Sequence, residues 1–369
     1  MNGTKTGTDA ARLSYVLPVT LREDVAKAWR NDPNRGVRLR LRLLIASFLR
    51  HCAPGGLDRF LILSPADQHE ELAALLPEIA GDARFELVDE RRLCPAAFAP
   101  AGPEGRRPEG WVIQQLLKLA AADRVTTEFY VTLDSDIVCL VPFGPPSLLN
   151  AGRAWTNTEN IDDYRRLYTD DFAGREFGVK LRRMASSARL LGYARPSALA
   201  GRCYGETPVL LHTESVRALC RHLDSRGPAG WAALLAATLG WTEYGLYFQH
   251  LEMTGALERH HALAGANRIL NLARSVWHAS AKYRALRRYD RAHFHLDPAH
   301  IDLSASGEGP FVAIQSWVKP QNWLGSVDLP PGVPPSISAF YRALAAWQGY
   351  RMAPPGASPA GAVLPIPPA

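Results

Sequence analysis

The chain is predicted to fold as an α/β protein built on a central, mostly parallel sheet flanked by helices. Three observations predict it. Short apolar, β-branched segments alternate with helix-period segments through the first half. Proline and glycine punctuate the boundaries between them. The fourth strand-like run lies within "EFYVTLDSDIVCLVPFG" at 128–144 and stops at Asp134 and Asp136. Two carboxylates mark the end of a buried strand, because a charge is not buried without a partner or a metal.

Taken in order, "LSYVLPV" (13–19) has the composition of a first strand and is ended by its proline. Residues 36–52 begin with alternation and continue with helical spacing, so they read mostly as helix. "RFLILS" (59–64) is a short buried strand, after which Pro65 opens a helix to about residue 79. "RFELVDE" (84–90) is the third strand, and a Pro/Gly-rich loop covers 94–110. The helix "WVIQQLLKLAAADRV" (111–125) leads into the fourth strand. Residues 151–200 show no long clean periodicity. "TPVLLHTESVRALCRHL" (207–223) reads as a strand followed by a helix. "WTEYGLYFQHLEM" (241–253) places Trp241, Tyr244, Tyr247 or Phe248, and Leu251 on one helical face. "FVAIQSW" (311–317) is a late strand. The expected organisation is a single domain over 12–350 with tails at 1–11 and 351–369, the second rich in Pro and Ala. No internal repeat occurs.

With 369 residues, 47% hydrophobic and 21% charged, the composition is that of an ordinary globular protein. The N-terminal stretch lacks the apolar core of a signal peptide, and the apolar patch at 231–241 is too short to span a bilayer. These features lead us to expect a soluble, cytoplasmic protein. Five scattered cysteines with no C-x-x-C argue against a disulfide framework or a zinc knuckle. The net charge of +6 is diluted along the chain, and no basic run interleaves with aromatics, so nucleic-acid binding has no support. A modest basic excess suits an anionic small substrate, and it equally suits solubility.

The D-x-D pair is weak evidence alone and stronger at the end of a strand. There it offers hard oxygen ligands suited to Mg²⁺ or Mn²⁺, an ion that bridges phosphate oxygens and neutralises a diphosphate leaving group. The bland alternative is a turn whose aspartates accept backbone N–H bonds. On the preceding helix, Gln114 and Lys118 share a face at i, i+4, with Gln115 beside them. A solvated helix face is the alternative for Lys118.

Three segments together, "GWVIQQLLKL" (110–119), "YVTLDSDIVCLVPF" (130–143) and "WTEYGLYFQHL" (241–251), resemble a bacterial family of uncharacterised, predicted glycosyltransferases of GT-A fold. The resemblance covers roughly residues 12–325. It implies a GT-A-like, Rossmann-type sheet and transfer of a sugar from a UDP- or GDP-linked donor to an acceptor, with Mn²⁺ or Mg²⁺ as cofactor. Carried over by motif, Asp136 becomes the direct metal ligand and a catalytic residue. Asp134 contacts the metal, the ribose or the sugar. Lys118, Gln114 and Gln115 contact the donor. Glu243 binds the acceptor or deprotonates it, which needs hydrogen-bond reach and a suitable pKa. Its alternative is a helix-start glutamate with Thr242 as cap. A late histidine, His278, is implied as a further metal ligand, in competition with His212, His250 and the His293-x-His295 pair. Thr20, after the first strand, falls where such a pocket takes the nucleotide.

Rival readings remain. Apolar-Asp-x-Asp-x-Val also resembles the first motif of haloacid dehalogenase-like phosphatases, yet here it follows three strands and Ile137 stands where glycine is common. A sugar nucleotidyltransferase needs a Gly-rich loop after the first strand, which "PVTLREDVAKAW" lacks. A non-catalytic nucleotide- or carbohydrate-binding protein of the same fold is the third. Serine and cysteine hydrolases lack their elbow motif.

Overall fold

The computed structural model describes residues 11–22, 37–100, 105, 107–139, 141–160, 171–194, 202–204, 207–264, 268–270 and 309–313. The expected tails lie outside the described residues, Ala11 apart. The strands in chain order are β1 (Leu13–Pro18), β2 (Leu57–Ser64), β3 (Phe85–Asp89), β4 (Phe129–Thr132), β5 (Ile137–Cys139), β6 (Leu149–Asn150), β7 (Arg153–Asn160), β8 (Arg202–Tyr204), β9 (Val209–His212), β10 (His261–Ala264) and β11 (Phe311–Ala313). The longer helices are α1 (Val37–His51), α2 (His69–Leu75), α3 (Gly110–Ala120), α4 (Asp171–Leu191), α5 (Thr213–Asp224) and α6 (Glu243–Met253).

The central sheet has the order β3-β2-β1-β4-β9. β1, β2, β3 and β4 run parallel, and β9 joins β4 antiparallel. This is the mostly parallel α/β sheet that the alternation predicts. Its strands are buried on both faces, as parallel sheets require. Tyr15, Phe60, Ile62, Phe129 and Val131 pack with Leu41, Leu44 and Phe48 of α1 on one face. Val16, Leu61, Leu63 and Tyr130 pack with α3, α5 and α6 on the other. The order reverses between β1 and β4, since β2 and β3 lie to one side of β1 and β4 to the other. Such a switch point opens a crevice at the carboxyl ends of the strands.

A smaller sheet, β10-β7-β6 with β8 on β7, and the antiparallel pair β5–β11 complete the described strands. Asn157 of β7 clamps the segment before β11. Its Oδ1 accepts from the N–H groups of Arg268 and Ile269, both at 3.1 Å, and its Nδ2 donates to the Leu270 carbonyl at 3.3 Å. His261 joins the two sheets: one ring nitrogen meets Thr156 Oγ1 and the other Tyr247 OH, each at 2.7 Å. Tyr247 OH also accepts from the His212 N–H at 2.8 Å.

Two helical expectations are corrected. The helix opened by Pro65 is interrupted: a 3-10 turn (Ala66–Gln68) leads into α2, and a second one (Pro77–Ile79) follows it. Pro77 drives Leu76 to φ −120°, ψ 58°, outside the helical region. The 151–200 region, which showed no clean period, holds β7 and the long α4. On the side of α4 that meets α6, Gln249 donates to the Met184 carbonyl at 3.2 Å and Ser187 packs against Gly245. A Cβ on Gly245 would lie 2.6 Å from Thr242 Oγ1 and 3.0 Å from Ser187 Oγ. Among the described residues no helix is long and apolar enough to cross a membrane.

Two measurements test this packing. Gly245→Ala should lower stability by about 1–3 kcal/mol in urea denaturation, because the methyl overpacks the contact between α4 and α6. Burial lowers the His261 pKa to about 3, helped by His260 and His212, and burial with His260 lowers that of His212 to about 4. The unfolded chain therefore binds these protons first. Stability contributed by the neutral rings is present above pH 6.5 and falls as pH drops from there toward 3. Denaturation midpoints across that range should show the fall, and His261→Gln should flatten it.

Candidate active site

Alternation along β4 aims a row of side chains at α3 and α6. Tyr130 OH donates to the Lys118 carbonyl at 2.9 Å. Thr132 Oγ1 lies 2.8 Å from Tyr244 OH and donates to the Val209 carbonyl at 3.1 Å. Asp134, the next in the row, meets Lys118 Nζ at 2.8 Å through Oδ1.

Lys118 is the centre of this arrangement. It is only 2% exposed. Besides Asp134, its Nζ reaches Glu243 Oε1 at 3.1 Å, Tyr244 OH at 3.3 Å and Thr207 Oγ1 at 3.4 Å. Lys118 is thus not on a solvated helix face, the alternative the sequence offered. An ammonium has three N–H donors, and here four protein acceptors surround them. Lys118 holds carboxylates in place. Gln114, one turn earlier, donates from Nε2 to the same Oδ1 of Asp134. The shared i, i+4 face thus converges on one oxygen. Among the described residues, Asp134 Oδ2 accepts from no group.

Gln115 also bonds within the protein. It is buried, its Oε1 accepts from the Glu243 N–H at 3.1 Å, and its Nε2 donates to the Trp111 carbonyl at 3.3 Å. Glu243 opens α6, with Thr242 as N-cap accepting from the Gly245 N–H at 3.0 Å. The helix-start reading of Glu243 holds, and its carboxylate also meets Lys118 Nζ at 3.1 Å. It is buried as well. Trp241, Tyr244 and Tyr247 are core residues, as their aromatic spacing suggests. Asp136 is half-buried in the turn between β4 and β5.

The electrostatics follow from burial. Burial raises the Glu243 pKa above 4.5 and Asp134 adds to this, against the opposing pull of Lys118. Burial alone would lower the Lys118 pKa. The charges of Asp134, Tyr244 and Glu243 outweigh it and hold Lys118 protonated, well above 10.5.

Beside the cluster lies a cavity of about 520 Å³ at the carboxyl ends of the first three strands. Pro18, Val19 and Thr20 after β1, Asp67 after β2, Glu90 and Arg91 after β3, and Gln114 of α3 line it. Thr20 is exposed there, and its Oγ1 accepts from Gln68 Nε2 at 3.3 Å. Gln68 Oε1 in turn accepts from the Leu21 N–H at 2.7 Å, fixing the loop after β1. Gln114 belongs to both cavity and cluster. Sequence reasoning missed Gln68, Thr207 and Glu90. Glu90 follows a strand as Asp134 does, but its neighbouring carboxylate, Asp89, is adjacent and not at the D-x-D spacing. Burial raises its pKa to about 7, with Asp89 and Asp67 adding to the rise.

His278 and the His293/His295 pair lie outside the described residues. His212 caps α5 through Ser215, and His250 sits in the core beside His222. Neither reaches the cluster. Among the described residues no group of three or more His, Cys, Asp or Glu side chains is arranged to hold a metal. The donor set that fits a hard divalent ion is the aspartate pair itself: oxygen ligands, half-exposed, with Asp134 Oδ2 unengaged among the described residues.

Removing the ammonium leaves two facing carboxylates. Lys118→Met should cost about 3 kcal/mol or more in urea denaturation at neutral pH. The double variant Lys118→Met/Glu243→Gln should recover most of the loss, and so should mildly acidic pH.

No curated protein matches the chain. Solved structures similar to it include mouse xyloside xylosyltransferase 1 in its apo form, at 14% identity and a TM-score of 0.44, with 84% of this chain and 99% of that one covered. The galactosyltransferase LgtC in complex with donor and acceptor sugar analogs is another, at 11% identity and a TM-score of 0.43, covering 93% and 98%. A third is glucosyl-3-phosphoglycerate synthase from Mycobacterium tuberculosis in complex with Mn²⁺, uridine diphosphate and glucosyl-3-phosphoglycerate, at 17% identity and a TM-score of 0.31, covering 70% and 71%. Residues 10–329 match a family of unknown function, DUF6492, and the chain belongs to that family.

Proposed function

We propose that the chain is a metal-dependent glycosyltransferase that moves a sugar from a nucleotide-sugar donor to an acceptor hydroxyl. One observation carries the reading: a buried ammonium fixes two carboxylates at the carboxyl edge of a mostly parallel sheet, and Gln114 links one of them, Asp134, to a nucleotide-sized cavity at the carboxyl ends of the first three strands. The resemblance of the segments carrying these residues to GT-A enzymes supports the same assignment.

Asp136 and Asp134 are the residues that would hold Mn²⁺ or Mg²⁺, which supplies positive charge to a diphosphate. The chain's own residues do the rest. Lys118 and Gln114 orient Asp134 so that Oδ1 is engaged by protein and Oδ2 faces the ligand side of the pair. Gln115 fixes the backbone of Glu243, and Lys118 fixes its carboxylate. The donor nucleotide occupies the cavity with Thr20 at its wall. Glu243 stands on the acceptor side. As the acceptor oxygen bonds to the anomeric carbon and the diphosphate departs with its electron pair, the acceptor proton passes to Glu243. The raised pKa of Glu243 favours that acceptance over an ordinary exposed carboxylate.

The test is calorimetric titration of UDP and GDP into the full chain, with and without Mn²⁺, repeated on Asp136→Ala. One nucleotide should bind with metal and lose at least about tenfold in affinity without it or in the variant. Absence of binding by both nucleotides under every condition overturns the assignment.

A further inference from the structure

We propose that Trp111 and Arg183 form the acceptor-side wall of this site and receive the face of a pyranose ring, so that the acceptor is a carbohydrate. This rests on the glycosyltransferase reading for the word acceptor, while the carbohydrate wall itself rests on separate geometry.

The face of α3 that builds the cluster continues to its exposed end. Trp111, Gln114 or Gln115, and Lys118 recur at i, i+3/i+4 and i+7 and share one side of the helix. Burial is graded along that side. Lys118 and Gln115 are buried, Gln114 is half-buried, and Trp111 is 41% exposed. The row spans about 10 Å along the axis at the ordinary helical rise. Among the described residues only Leu49 and Leu239 are comparably exposed large apolar side chains. Trp111 differs from them in standing between Gly110 and Ile113, both of which line the cavity.

The backbone of Trp111 is linked to the proposed proton acceptor: Gln115 donates to the Trp111 carbonyl at 3.3 Å and accepts from the Glu243 N–H at 3.1 Å. One contact is to the indole itself. From α4, the Arg183 guanidinium lies over the Trp111 ring, 4.6 Å from its centroid. The approach of α4 to α6 at Ser187 and Gly245 sets that position.

The chemistry of this pair selects its ligand. An indole presents a large, rigid apolar face at small entropic cost when it is covered. A guanidinium stacked on it keeps its N–H donors directed outward in its plane. A pyranose has the matching pattern, with C–H groups on a face and hydroxyls around the rim. A site built only to hold α3 against α4 has no need of an exposed indole.

The experiment is saturation-transfer NMR on the full chain with methyl glucoside, galactoside, mannoside and xyloside in both anomeric forms, with UDP and Mn²⁺ present. At least one glycoside should bind in the millimolar range. Trp111→Ala should weaken it by about tenfold or more, Arg183→Ala should weaken it less, and Trp111→Phe should hold it within about threefold. Unfolding temperatures should move little, which separates ligand contact from helix bracing. The proposal is overturned if no glycoside binds the native chain up to about 50 mM, or if Trp111→Ala binds as the native chain does. Nucleotide titration of the same samples separates the two readings. Nucleotide binding without glycoside binding removes the wall alone. Trp111-dependent glycoside binding without nucleotide binding keeps the wall and removes the transferase.

Discussion

The buried ammonium of Lys118 is the constraint on which the site depends. A lysine so enclosed is stable as a cation only where anions surround it, and Asp134 and Glu243 do so from two different elements. The three groups are mutually required. Without the lysine, two carboxylates face each other across a poorly solvated gap. Without either carboxylate, the lysine loses part of what keeps it charged. This couples the end of β4 to the start of α6 through the middle of α3, three elements far apart in sequence. Tyr244, Thr132 and Thr207 close the polar shell, with Tyr244 OH 2.9 Å from Thr207 Oγ1. A buried network in which the ammonium has every donor engaged holds its members in one arrangement.

The sheet explains why the cluster lies beside a cavity. The loops after β1, β2 and β3 and one face of α3 line the cavity. Successive side chains of α3 meet different surroundings: Gln114 the cavity, Lys118 the cluster. The loop after β1 is pinned by Gln68, which binds both Thr20 and the Leu21 N–H. The cavity wall is thus held by a buried glutamine from the far side of β2.

Much of this was legible in the sequence. The strand–helix alternation announced the sheet, and the strand-terminal carboxylates located its functional edge. The i, i+4 relation of Gln114 and Lys118 gave the correct helix face. What the sequence hid was direction. A lone lysine on an amphipathic helix reads as exposed or as ligand-seeking, because its acceptors come from Asp134, 16 positions later, and from Glu243, 125 positions later. No local pattern signals such a pairing. The helix α4 was hidden for another physical reason. Helical periodicity is read from large apolar residues, and the part of α4 that meets α6 packs through Ser187 against a glycine. Glu90 and Gln68 were hidden because single polar residues after a strand are common, and only the cavity distinguishes these two.

Charge accounting favours a cation in the proposed donor site over a diphosphate alone. Among these three groups, Asp134 and Glu243 exceed Lys118 by one negative charge. An anionic diphosphate brought to that edge meets a field of the wrong sign, and Lys118 cannot correct it because its donors are already committed to protein acceptors. The cavity arginines do not correct it either: Arg22 is paired with Asp67, and Arg91 lies over Phe98 at 4.9 Å. The proposed metal would supply positive charge at this carboxylate edge. Half-exposed carboxylate oxygens receive a hard divalent ion well. In the proposed chemistry the buried lysine fixes the carboxylates at the geometry in which they would accept a second, exchangeable cation.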